Sequence, residues 1–403
     1  MSRDPNLMTV FGAHWCPDCR RVRGFLTAHH IQFNWVDLEE HEGATAEIES
    51  IIGGKRRIPT LQFPDGSFMI SPPNDELADK LGITREAAKD TYDLVIAGGG
   101  PAALTTAIYA ARENMSVIVV EKSALGGQAG VTERYDNYPG FPDGVEGVDL
   151  ADRFVRQAAR YGVELLESVA VDSITPVDDA FEVKTSAGQM LSARAVLIST
   201  GSQYRRTNAP GEADLIGAGI HFCATCDGPF YKGAEEVVVI GGGNSGMEEG
   251  LFLTQFANHV TIFARKDGLT GSKLLQDKVN EHPKIDVVSN VEVASFNADE
   301  QGLIKSITFR DLDSGAETEH ACKAAFLFIG LDPTTEWLNG LVELDERRFV
   351  KTDRNLETSV KGIFAAGDVR GGSTKQLASA VGEGAAVSIQ IRYHLNELDD
   401  KQG

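Results

Sequence analysis

The residues best equipped for chemistry are four cysteines in two C-x-x-C pairs, Cys16–Cys19 and Cys223–Cys226. Two thiols at this spacing can open and close a disulfide, or bind a metal as thiolates. Cys16 follows a short apolar segment and stands where a helical pattern begins. There the helix dipole and free amides favour a thiolate, so Cys16 is expected to have a lowered pKa and to be the nucleophile. Cys19, one turn further on, would resolve the mixed disulfide. Asp227 follows Cys226 directly and is placed to shuttle protons as thiols form and break. Its plainer reading is a turn or capping carboxylate. A zinc site made from both pairs is disfavoured, because each pair sits inside its own α/β pattern and structural zinc pairs are usually closer in sequence. No metal is expected. Cys322, beside the apolar run 324–331, reads as a small core residue. His29-His30 reads as a helix end and Trp15 as a packing residue.

The elements that must position these groups are legible in the pattern. Residues 6–12 suit a strand, and a helix follows to about His29. Phe33 to Leu38 suits a strand, Ala44 to Ile52 a helix, a strand ends at Phe63, Asp65-Gly66 turns the chain, and a last helix reaches about Leu81. This β-α-β-α-β-β-α order describes one small thioredoxin-like domain over 1–83. Pro59, ahead of the third strand, is expected to be cis and to pack beside the first pair. The charged stretch within 84–91 reads as a flexible linker.

A βαβ unit then opens. Leu94 to Ala97 is a strand, Gly98-Gly99-Gly100-Pro101-Ala102-Ala103 is a turn, a helix runs to about Arg112, and a second strand ends at Glu121. The unit recurs at Val237 to Ile240, Gly241-Gly242-Gly243-Asn244-Ser245-Gly246, a helix to about Gln255, and a strand from His259 to Phe263. In such turns Gly98 or Gly241 permits the reversal and Gly100 or Gly243 admits a pyrophosphate. Ala103 or Gly246 keeps helix and strand close. Glu121 can accept hydrogen bonds from an unphosphorylated ribose, which suits FAD. The matching Ala264 is followed by Arg265 and Lys266, which suit the 2′-phosphate of NADPH or, less pointedly, a solvated strand end. Gly362 to Asp368 is an apolar strand ending in Gly367-Asp368, expected to return the chain to the first nucleotide-binding fold. The expected class is α/β: a thioredoxin-like fold followed by two Rossmann-like domains.

Composition agrees. The chain has 403 residues, 42% of them hydrophobic, with a formal charge of -21. That length suits two to four domains. The acidic balance disfavours nucleic acid. Arg20, Arg21 and Arg23 break any signal peptide, and no stretch of about 18 apolar residues predicts a membrane span. A cytosolic location is expected.

Residues 92–397 resemble the low-molecular-weight thioredoxin reductases. The matching segments are Gly98-Gly99-Gly100-Pro101-Ala102, Gly126-Gly127-Gln128, Asn137-Tyr138-Pro139-Gly140, Cys223-Ala224-Thr225-Cys226-Asp227-Gly228, Gly241-Gly242-Gly243-Asn244-Ser245 and Ala366-Gly367-Asp368-Val369. Residues 5–83 look like a glutaredoxin of the mycoredoxin sort. The resemblance implies an FAD domain in two pieces, 92–208 and 321–403, around an NADPH domain at 209–320, and a homodimer. It implies that Cys226 lies against the flavin while Cys223 exchanges with the partner disulfide. It also places Gly127, Gln128, Asn137, Asp368 and Gln376 near FAD. Ala264-Arg265-Lys266 and Thr270 depart from the family's arginine-rich motif, which leaves NADH open as a donor. Ser71-Pro72-Pro73-Asn74-Asp75 replaces a segment that many glutaredoxins use, which argues against glutathione. The expected flow is NADPH, FAD, Cys223–Cys226, Cys16–Cys19, then a protein or small-molecule disulfide linked to thioredoxin, peroxiredoxin or glutaredoxin. A peroxiredoxin-reductase flavoprotein and a low-turnover redox sensor are the alternatives.

Overall fold

The computed structural model describes residues 3–402 apart from 14, 15, 30, 39, 42, 55, 132, 133, 266 and 267; at Pro17, Ala28, Val131, Cys226 and Gln402 it describes the backbone alone. The chain forms two units. One holds residues 1–134, 138–203 and 332–403, and the other holds 135–137 and 204–331.

The first unit begins with Met8–Gly12 (β1), Pro17–Ala28 (α1), Phe33–Asp37 (β2), Ala44–Ile52 (α2), Thr60–Gln62 (β3), Phe68–Ile70 (β4) and Asn74–Leu81 (α3). This is the order expected from sequence. The sheet runs β2-β1-β3-β4, parallel between β1 and β2 and antiparallel elsewhere. Val22, Phe25 and Leu26 of α1, spaced three and four apart, are fully buried against Val10 and Leu61. The Ile58–Pro59 bond is cis, as anticipated.

The same unit continues with Thr91–Ala97 (β5), Pro101–Arg112 (α4), Val117–Glu121 (β6), Gln128–Val131 (α5), Gly147–Arg160 (α6), Glu164–Glu167 (β7), Val171–Val177 (β8), Ala180–Thr185 (β9) and Met190–Ile198 (β10). Strand order is β8-β9-β10-β5-β6-β7. The late strand Ile363–Ala365 pairs in parallel with β10, so the chain does return to this sheet. The closing helix Leu377–Gln402 crosses α4 closely because the residues there are small. A Cβ on Gly384 would stand 2.5 Å from the Ala102 carbonyl oxygen, and Thr106 donates to the Gly384 carbonyl.

The second unit holds a five-stranded parallel sheet. Its middle strand, Val237–Ile240, lies between Val260–Ala264 and Ala324–Leu327. All four residues of the middle strand are buried, as the unbroken apolar run predicts for a two-sided parallel sheet. Helix Asn244–Leu253 covers one face, and a three-stranded antiparallel sheet spans 291–321.

The stretch read as a flexible linker is pinned at both ends. Ile83 donates its amide to Ala78 and packs on the core of the small domain. From Ala87 onward the chain is tied to the large domain. The Ala87 amide donates to Gln189, the Ala88 amide to Glu164, and Gln189 donates back to the Ala87 carbonyl. Only Thr84 to Glu86 lie between these anchors, a reach of about 10 Å even if fully extended.

Candidate functional site

Cys16 is the N-cap of α1: its Sγ accepts the Cys19 amide at 3.2 Å. Both thiols are free, with Cys16 at 6% exposure and Cys19 at 0%. Ala13, Trp35 and Ile58 close the pocket around them. The Cys16 pKa is lowered, first by the hydrogen bond from the Cys19 thiol and then by backbone amides, against the cost of burial. Burial and the same shared hydrogen bond drive the Cys19 pKa far up. The direction for Cys16 matches the sequence reading, but its main source is Cys19 itself rather than the helix end. Trp15 and His30 lie outside the described residues.

His29, read as a plain helix end, has a partner. It is the C-cap of α1, and its Nε2 stands 2.5 Å from Oε2 of Glu167, whose side chain is 2% exposed. The other Glu167 oxygen accepts the Leu125 amide. Helix α1 packs on α5 and α6, so the helix that carries the first dithiol is seated on the large domain. A contact between residues 138 positions apart leaves no local trace in the sequence.

The first glycine turn fits a dinucleotide. Gly98 has φ +103, and a Cβ there would stand 2.3 Å from the Ser199 carbonyl oxygen. A Cβ on Gly100 would meet nothing within 4 Å, so the space a pyrophosphate needs is open. Ala103 is fully buried between helix and sheet. Glu121 accepts the Gly99 amide at 2.6 Å and the Ser123 amide at 2.7 Å, and burial raises its pKa. Gly127 has φ +54 and lies over Gly100, with Gln128 opening α5. Gly367 approaches Ala102. Asp368 carries a buried carboxylate oxygen, Oδ1, with no hydrogen-bond partner, and burial raises its pKa. Lys375, beside Gln376, donates to the carbonyls of Asp368 and Arg370, and burial lowers its pKa to about 8. Open space over Gly100 and an unpartnered acceptor on Asp368 are what an FAD pyrophosphate and its polyhydroxyl chain would fill. Asn137 falls within the second unit rather than the first.

The second turn repeats the geometry. A Cβ on Gly241 would stand 2.4 Å from the Phe328 carbonyl oxygen, one on Gly246 would stand 1.8 Å from the Gly241 oxygen, and Gly243 is open. Gly242 rests on Ala264 as Gly99 rests on Glu121. Asn244 accepts the Ser272 amide, and Ser245 is exposed in the first turn of its helix. Thr270 spends its amide and hydroxyl on the Gly242 carbonyl, bracing the turn. The Arg265 side chain is 77% exposed and pairs with Glu292 at 3.4 Å, so a phosphate can approach it from solvent. Lys266 lies outside the described residues.

Cys223 is disulfide-bonded and directly precedes the four-residue helix Ala224–Asp227; the Cys226 side chain lies outside the described atoms. Asp227 makes no capping hydrogen bond with its side chain. Its Oδ2 instead faces His221 Nδ1 at 3.5 Å. Sequence reading missed His221, although a histidine two positions before Cys223 was the available signal. Cys322 is buried, and burial pushes its thiol pKa up to about 12, which fits a structural thiol.

Comparison with known proteins agrees with this geometry. Residues 92–384 match the family model described as pyridine nucleotide-disulphide oxidoreductase, and residues 8–69 match the glutaredoxin model. The chain is 37% identical over 311 residues to the thioredoxin reductase of Bacillus subtilis, covering 77% of this chain and 96% of that protein. It is 38% identical over 318 residues to that of Streptomyces clavuligerus, covering 78% and 97%. Among solved structures, thioredoxin reductase from Streptococcus pyogenes MGAS5005 matches with a TM-score of 0.72 at 34% identity, covering 77% of this chain and all of that one. The chain therefore belongs to the pyridine nucleotide-disulphide oxidoreductases, as a thioredoxin-reductase-like flavoprotein with a glutaredoxin domain fused ahead of it.

Proposed function

We propose that the two cysteine pairs work in series, Cys223–Cys226 reducing Cys16–Cys19, and Cys16 then reducing a disulfide outside the chain. FAD held at Gly98, Gly100, Glu121, Gly127, Gln128, Asp368 and Gln376, and reduced by NADPH held at Gly241, Gly243, Asn244, Ser245, Arg265 and Lys266, would supply the electron pair. The chain's own thiols do the rest. The Cys223 thiolate attacks Cys16 Sγ in the oxidised front pair, and Cys19 leaves and takes a proton. Cys226 then attacks Cys223, closing the rear disulfide and releasing Cys16 as a thiolate. Two thiols are consumed and two formed, so the exchange balances. Asp227 holds and returns the proton at the rear pair.

The observation that carries this reading is the geometry of the front pair: Cys16 caps α1, its Sγ accepts the Cys19 amide at 3.2 Å, and both cysteines are free thiols. The shared hydrogen bond lowers the Cys16 pKa, the direction a nucleophile needs. A homodimer and a cytosolic setting belong to the same reading. NADPH-driven reduction of insulin disulfides by Cys16→Ser tests it. Loss of turnover is expected, and unchanged turnover would remove the front domain from the path.

A further inference from the structure

His221 lies two positions ahead of Cys223, on the short strand Ile220–His221. Helix Ala224–Asp227 turns the chain back so that Asp227 meets the imidazole, with 3.5 Å between Nδ1 and Oδ2. The other ring nitrogen, Nε2, lies 2.6 Å from the Tyr231 hydroxyl. The ring packs against Tyr231 and Phe326, each centroid 5.3 Å away, and the residue is 9% exposed. This arrangement selects a tautomer. A carboxylate only accepts, so the ring nitrogen facing Asp227 is the one that carries hydrogen, and the Tyr231 hydroxyl can then donate to Nε2.

We propose that His221 is a positioning residue for Asp227, steering the carboxylate through Nδ1–H, with Tyr231 fixing the ring from behind. This rests on the reading that Asp227 exchanges protons with the Cys223 pair. Opening that disulfide to two thiols consumes two electrons, supplied by NADPH through the flavin, and two protons. A carboxyl group passes one proton at a time and must be recharged between turnovers. The Asp227 side chain is 18% exposed, so water reaches it. Uncapped and at the end of a four-residue helix, it otherwise has little to fix its rotamer. His221 supplies that restraint, and the packing of Tyr231 and Phe326 stops the ring from turning away. Asp227 and Tyr231 supply both polar contacts to the ring, and Phe326 brings no charge.

The test uses the full-length, flavin-loaded protein in a Cys16→Ser background, so that only the rear pair reacts. The single-turnover rate of an aromatic disulfide reagent with NADPH-reduced protein is compared among His221→Phe, His221→Asn, Asp227→Asn and the His221→Phe/Asp227→Asn double variant. His221→Phe should slow the reaction about tenfold. Asn offers an amide N–H near the Nδ1 position, so His221→Asn should stay within about twofold of the parent, and the double variant should match Asp227→Asn alone. A full rate for His221→Phe, no rescue by Asn, or losses that multiply in the double variant overturns the proposal while leaving Asp227 in place. A full rate for Asp227→Asn removes the role of Asp227, and this proposal with it. If His221→Phe fails to fold, Tyr231→Phe replaces it. About a threefold loss is then expected, and none overturns the inference.

Discussion

The two cysteine pairs share a spacing and differ in how their protons are controlled. The front pair opens a twelve-residue helix and contains its own asymmetry: the hydrogen bond from Cys19 lowers the Cys16 pKa, while burial raises that of Cys19. The rear pair sits at a four-residue helix, too short to build much dipole, and on the proposed reading its protons are handled by neighbouring side chains, Asp227 and behind it His221. A dithiol on its own small domain keeps its activation within the helix that carries it. A dithiol embedded in a nucleotide-binding domain draws on its surroundings.

This contrast breaks most sharply at the sulfurs. Cys223→Ser should abolish NADPH-driven insulin reduction, by about 10³-fold or more, since no other thiol feeds the front pair; residual turnover near wild type would mean that flavin reaches Cys16 directly. Asp227→Asn should cost less, about 10²-fold, in the reoxidation rate of the rear dithiol. It should leave alkylation of Cys16 unchanged; a matching loss there would erase the distinction between the pairs.

The pH dependence of the front pair sharpens the comparison. Because the folded Cys16 pKa is lowered, it contributes stability that is fully present above the ordinary thiol range, near 8.5, and is lost as pH falls through the folded value. Chemical denaturation of the reduced protein across that window should show this slope, and Cys16→Ser should flatten it. The smallest effect is expected at the seat of the front domain. His29→Ala leaves the buried Glu167 with only the Leu125 amide. It should cost about 1–3 kcal/mol of stability and raise the Cys16 alkylation rate severalfold as α1 lifts from α5 and α6. Equal alkylation rates would show that the seat does not cover the thiol.

What the sequence disclosed follows from the range of each interaction. Strands such as Val237–Ile240 and helices such as Pro101–Arg112 announce themselves through unbroken or 3.6-period apolar residues. The glycines at 98, 100, 241 and 243 do so because their need is local: a left-handed turn or open space for a phosphate. The cis bond before Pro59 was legible for the same reason. The His29–Glu167 contact, the pinning of Ala87 and Ala88 by Gln189 and Glu164, and the bracing of Gly242 by Thr270 were not. Each joins polar groups brought together only by the finished fold, and single polar side chains have no period to betray them. The anchoring of the linker was not legible because its charge suggests solvent, whereas the amides of Ala87 and Ala88 are spent on the large domain. His221 and Asp227 lie only six positions apart, yet they meet only because the chain reverses at Cys223.

The central claim, two dithiols in series, is tested most directly by anaerobic quenching. Fully oxidised protein is mixed with NADPH, alkylated at intervals, and the label on Cys16 and Cys19 read by mass spectrometry. The account predicts that label enters the front pair in the wild type and fails to enter in Cys223→Ser, although flavin absorbance still bleaches. Equal labelling of Cys16 and Cys19 in both proteins would contradict it.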